Sequence, residues 1–264
     1  MGILNATPDS FSDGGRYLDP SAAVERALQM EAEGAAVIDV GGESTRPGAP
    51  HVPLDEELRR VIPVIERLAK AARVPISVDT AKSAVAERAF DAGASMLNDV
   101  TALSGDPAMA GIAARAKASV ILMHMRGTPR TMQRSPRYRD VVAEVLAFLR
   151  EAVDRAMEQG IARARLLIDP GLGFGKTVAH NLALMRSLDR FHSLGLPIVL
   201  GPSRKSFIGT VVDAEVDERL AGTLACVAQA FYGRVRLVRV HDVQPAVQLI
   251  RMLEAIEDGH ASGR

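Results

Sequence analysis

Eight short apolar runs punctuate the chain, and nearly every one stops at a polar or charged residue. They are 2–5 (GILN), 37–40 (VIDV), 76–79 (ISVD), 96–99 (MLND), 120–124 (VILMH), 166–169 (LLID), 198–201 (IVLG) and 237–241 (LVRVH). Between them the spacing predicts helices over 20–34, 54–73, 82–92, 107–116, 138–159, 180–194, 217–232 and 243–257. The first opens on Asp19 and Pro20 and closes on Gly34, a start and a stop signal. The second carries Leu58, Val61, Ile62, Ile65 and Leu68 at helical spacing. Strand and helix alternate throughout, which implies parallel strands joined by crossovers. Buried strands that end repeatedly in Asn, Asp, His, Lys or Arg imply one polar cavity at one end of one sheet. That is the layout of an α/β (β/α)8 TIM barrel, whose chemistry sits at the C-terminal strand ends. We expect a single domain over 1–264, with only 259–264 frayed.

Bulk properties narrow the class further. A barrel takes roughly 250 residues, and the chain has 264. Lys plus Arg and Asp plus Glu are 32 each, so no global field draws it toward nucleic acid or a membrane. The single cysteine, Cys226, reads as a small buried apolar residue and allows no intrachain disulfide, which fits a reducing cytoplasm. The start MGILNATPDS lacks the charged and apolar regions of a secretory signal. No apolar run approaches the length of about 18 residues that spans a bilayer.

Asp79 and Asp169 each end an apolar run, and Asn98 lies at the end of another. A carboxylate there is costly unless partnered. One reading is a salt bridge to Lys205 or Arg239. The other is convergence on a flat heterocycle with several N–H donors, purine- or pterin-like, bound by paired charge-assisted hydrogen bonds. Arg239 and His241 are two apart and share one side of the last run, while Ser203, Arg204 and Lys205 follow the seventh. Barrels commonly hold phosphate after strands 7 and 8, so this cluster reads as an anion site. The segment 169–177 (DPGLGFGKT) is not a P-loop, because Pro170 stands where that motif needs glycine. Its glycines suggest close backbone approach to a ligand, with Phe174 as an apolar wall. His124 reads as a hydrogen-bonded core residue, and His51, His180, His192 and His260 as surface. The loops 6–16, 41–53 and 126–137 have the length and composition of lids or clamps.

The blocks 2–15 (GILNATPDSFSDGG), 34–49 (GAAVIDVGGESTRPGA), 77–80 (SVDT), 97–100 (LNDV), 169–177, 201–209 (GPSRKSFIG) and 239–243 (RVHDV) together resemble the dihydropteroate synthase family. They occur in the family's order and at its spacing. The resemblance implies condensation of 6-hydroxymethyl-7,8-dihydropterin diphosphate with 4-aminobenzoate, giving 7,8-dihydropteroate and pyrophosphate with Mg2+. It implies that Asp79, Asn98, Met123, Asp169 and Lys205 hold the pterin. By the same resemblance Asn5, Thr45, Arg46, Arg239 and His241 handle pyrophosphate, Ser44 lies nearby, and Asn5 meets the metal. Phe11, Thr45, Pro47, Phe174 and Ser206 match the aminobenzoate pocket, where sulfonamides compete. Lys205, Arg239, His241 and Asp79 match the groups that carry the chemistry, which in this family is dissociative, and the partner is a second copy in a homodimer.

Departures are few. Met1 directly begins the first run, where the family has a preceding segment that contributes to the barrel bottom, so either an open floor or a misassigned start is expected. Ala6 replaces a larger residue, and 233–238 (GRVRLV) is an unusual approach to the last strand. The spacing between Ser206 and Arg239 has no insertion of the kind associated with sulfonamide resistance, so sensitivity is expected. Two other readings share the pterin site: a folate-dependent methyltransferase, which has no use for the pyrophosphate groups, and a pterin-binding homologue without turnover.

Overall fold

The computed structural model describes residues 1–6, 20–45 and 48–259. Each apolar run becomes a short buried strand: β1 (Gly2–Asn5), β2 (Ile38–Gly41), β3 (Ile76–Asp79), β4 (Met96–Asp99), β5 (Ser119–Met123), β6 (Leu166–Asp169), β7 (Val199–Leu200) and β8 (Leu237–Val238). The first six pair in sequence order as one parallel sheet, and β7 pairs with β8. Single bridges join the two sheets, Ile168 to Ile198 and Gly2 to Val240. At the second seam Ile3 donates to the Val240 carbonyl and Val240 to that of Met1, both at 2.9 Å. The eight strands thus follow one another around a ring, as expected of the barrel. The last two strands are short because Pro197 and Pro202 flank β7 and carry no N–H for a ladder.

The helices are α1 (Pro20–Ala32), α2 (Leu54–Ala71), α3 (Ser83–Asp91), α4 (Met109–Arg115), α5 (Val141–Glu158), α6 (Val178–Arg186), α7 (Leu188–Phe191), α8 (Ser206–Val212), α9 (Leu220–Tyr232) and α10 (Val243–Asp258). Their apolar faces pack on the outside of the strands. In α2, Val61, Ile65 and Leu68 are fully buried, as the helical spacing implied. α5 begins where the Asp140 carboxylate accepts from the amides of Val142 and Ala143. The helix expected over 180–194 breaks at Ser187, and α8 was not foreseen. Thr210, Val211 and Val212 are β-branched, with weak helix preference.

Inside the ring, Met1, Val37, Met96, Ile121 and Val199 form an apolar layer with Leu167 and Leu237 against it. The floor is therefore filled within the described residues, with Met1 only 6% exposed, rather than open as expected. Two positions further along their strands stand Asp39, Asn98, Met123, Asp169, Gly201 and Arg239. A strand's side chains alternate between faces, so this second layer also points inward, one step nearer the C-terminal ends. A dry floor and a polar ceiling follow directly from that alternation.

Candidate active site

The polar layer is built around Arg239. Its Nε donates to Asp39 Oδ2 at 2.6 Å, and its Nη2 donates to Asp79 Oδ2. Asp39 Oδ2 also accepts from Asn98 Nδ2 at 3.1 Å. Burial pulls the guanidinium's pKa down, but the Asp39 and Asp79 carboxylates more than offset this, and it is held above its ordinary value. Asp79 shows the opposite balance: burial raises its carboxyl to about 7, against the attraction of Arg239 and with the repulsion of Asp39. The salt-bridge reading of Asp79 is met, with Arg239 as the partner.

Across the ring, Asp169 accepts the amide of Gly171 at 2.7 Å, and burial raises its pKa. Burial lowers the Lys205 ammonium to about 8, with the Asp169 carboxylate opposing. Lys205 Nζ donates to the Leu172 carbonyl and lies 4.5 Å over the Phe174 ring. Phe174 packs with Val100, Met123 and Met132 in a small apolar cluster, the wall the sequence suggested. Ser203 Oγ accepts the His241 amide at 3.1 Å and lies 2.9 Å from its Nδ1. Arg204 turns away to a two-pronged pair with Asp242. Asn5 ends β1 half-buried, Thr45 is half-buried, and Ser206 opens α8 exposed. Phe11, Arg46 and Pro47 lie outside the described residues, as do His260 and nearly all of the 6–16 loop.

Two groups escaped the sequence reading. Asp39 sits inside the run VIDV and is wholly buried, so it lacked the strand-end position that marked Asp79 and Asp169. Lys176 is 3% exposed, and its Nζ reaches the carbonyls of Gly171, Phe174 and His124 at 2.8, 3.0 and 3.3 Å and His124 Nδ1 at 2.9 Å. Burial lowers its pKa well below the usual lysine value, and lowers His124 to about 2 with the Lys176 charge adding to the effect. His124 is thus the bonded core residue expected. The failed P-loop motif hid a structural lysine. The glycines around it serve contacts within the protein: an added Cβ would come 1.9 Å from the His124 carbonyl oxygen at Gly171 and 2.4 Å from that of Arg126 at Gly175. Only Gly173 faces a site group, 3.0 Å from Lys205 Cδ.

Of the other histidines, His51 pairs with Glu43 and His192 with the Gly233 carbonyl, both exposed. His180 is more than surface: it closes a capping box with Thr177 at the start of α6. Cys226 is half-buried against the core rather than fully buried.

Residues 1–241 match the family model described as "Pterin binding enzyme". Dihydropteroate synthase of Escherichia coli (strain K12) is 48% identical over 255 residues, covering 97% of this chain and 90% of the relative. The chain belongs to the dihydropteroate synthase family. Among solved structures, Yersinia pestis dihydropteroate synthase with a sulfonamide drug complex superposes with a TM-score of 0.93 at 43% identity, covering 97% of this chain and 93% of that one. The Xanthomonas albilineans enzyme in complex with 7,8-dihydropteroate gives 0.88 at 45% identity, covering 97% and 92%.

Proposed function

We propose that the chain works as one pterin-binding barrel in which the inward polar layer performs the family's transferase reaction. The observation that carries this is the convergence of Asp79, Asn98, Asp169, Lys205 and Arg239 at the C-terminal strand ends. Asp79, Asn98 and Asp169 would take the donor edge of the dihydropterin, with Lys205 beside its ring and Met123 and Phe174 as apolar walls. Arg239, His241 and Ser203 would take the diphosphate, with Thr45 and Arg46 from the loop after β2.

The reaction breaks the C–O bond between the pterin methylene and diphosphate, and the electron pair leaves on the diphosphate oxygen. The methylene cation delocalises into the dihydropterin ring. Donors fixed at the leaving oxygens lower the barrier, because they need no reorganisation when the charge appears. The aromatic amine of 4-aminobenzoate then forms the C–N bond and loses a proton to solvent. No strong general base is needed against a cation. A bound magnesium ion would neutralise diphosphate charge. The donor set fits an ion carried by the substrate: Asn5 offers a hard amide oxygen, and the described residues hold no cluster of three or more His, Cys, Asp or Glu suited to a metal.

Tyr232 on α9 and Met252 and Ile256 on α10 are each about 60% exposed on neighbouring helices, which supports a homodimer through this face. The described helices include none long and apolar enough to cross a membrane. The cytoplasm is the proposed compartment, on the strength of a single cysteine that cannot form an intrachain disulfide.

Calorimetric titration with the dihydropterin diphosphate tests the site. Asp169→Asn and Lys205→Met are each expected to weaken binding by at least about tenfold, the scale of losing one charged partner in a desolvated site. Wild-type affinity in both variants would remove these residues from the site.

A further inference from the structure

Asp39 is a fully enclosed group of the polar layer that the substrate-binding assignments leave unused. It is 0% exposed and bonds to both Arg239 and Asn98 through one oxygen, Oδ2. The proposed roles place two demands on the Asp79–Arg239 pair. Asp79 must accept from the heterocycle, and its Oδ2 also accepts from Arg239 Nη2. Arg239 must bind diphosphate, and a buried guanidinium that parts from Asp79 stays compensated by protein only if a second carboxylate remains with it.

Resting on that reading, we propose that Asp39 is a positioning residue. It keeps Arg239 oriented and neutralised through Nε, so that the Asp79–Arg239 pair can open on binding. Asp79 then passes to the pterin, and Nη2 passes to the diphosphate. The same carboxylate orients Asn98. An ionised carboxylate only accepts, so the Asn98 atom facing Asp39 is the Nδ2 donor and the carbonyl oxygen is the atom left for a ligand N–H. One buried group therefore sets the geometry of the pterin subsite and the anion subsite together.

Asp39→Asn tests this with little steric change. The variant still balances Arg239 with Asp79, so the ion pair survives but has no second carboxylate to release it. The expected result is a KM for the dihydropterin diphosphate raised about 10- to 100-fold with kcat also reduced, the scale of a misplaced binding group. In an Arg239→Gln background the same substitution should add little, because Asp39 acts through Arg239. A pH profile separates positioning from a general loss of structure. Asp79 faces Arg239 just beyond β8, Asp39 of β2, Glu57 of α2, Asp99 of β4 and Lys205 beyond β7. Removing the Asp39 charge relieves repulsion on Asp79, so the acid limb of pterin binding should move to lower pH. A folded Asp39→Asn protein with wild-type KM, kcat and acid limb would overturn the proposal.

If that variant does not fold, Asp39→Glu keeps the charge and displaces the carboxylate. It should retain the acid limb while inorganic pyrophosphate binding weakens at least about tenfold, and unchanged pyrophosphate binding would overturn the proposal. If wild-type protein binds both ligands but forms no product, the functional reading fails, and the binding titrations alone decide the role of Asp39.

Discussion

At the scale of single residues, the site is governed by how burial and charge divide two titrations. Asp79 has its carboxyl raised to about 7, while Lys205 has its ammonium lowered to about 8. In the proposed site pterin binding would use the carboxylate, which is lost as pH falls through 7, and the ammonium, which is lost as pH rises through 8. Affinity for the dihydropterin diphosphate is therefore expected to peak between these values, falling tenfold per pH unit well beyond each limb. A titration series from pH 5 to 10 checks this, and a flat profile would contradict the assignment of Asp79 and Lys205. Lys176 is a second residue-scale case. Its buried amine faces three carbonyls and an imidazole nitrogen, so Lys176→Met leaves buried acceptors unpaired. Chemical denaturation should show a loss of about 2–4 kcal/mol, in the range for deleting a buried polar partner.

At the scale of elements, most of the architecture was legible in the sequence because the barrel uses one simple code per segment. Apolar runs became strands, helical spacing became helices, and the polar groups Asp79, Asp169 and Arg239 at or near the run ends came together. What was not legible depended on neighbours. Asp39 reads as one polar residue in VIDV until the ring brings Arg239 to it from the far end of the chain. The glycines of 169–177 read as ligand contacts, whereas Gly171 is fixed by the His124 carbonyl. Gly171 has φ +69° and no room for a Cβ, so Gly171→Ala must displace the loop that carries Phe174. It is expected to cost at least about 2 kcal/mol by thermal or denaturant melting, with reduced pterin affinity.

At the scale of the whole molecule, ring closure brings distant parts of the sequence to a common site. The seam between β1 and Val240 joins the first strand to the last, and Lys205 after β7 comes to act on Asp169 of β6. With Phe174 and Ser206 proposed for the aminobenzoate pocket, the uninterrupted spacing from Ser206 to Arg239 favours sulfonamide sensitivity. Sulfonamide is expected to raise the apparent KM for 4-aminobenzoate without lowering the rate at saturating 4-aminobenzoate. Full turnover at high sulfonamide and modest 4-aminobenzoate would refute that expectation.

The most direct test of the central claim is pyrophosphate release from dihydropterin diphosphate with magnesium, measured with and without 4-aminobenzoate, with the organic product weighed by mass spectrometry. The account requires release that depends on the amine and a product of dihydropteroate mass. Tight pterin binding with no pyrophosphate released in either case would contradict it, and would leave the barrel as a binding protein without turnover.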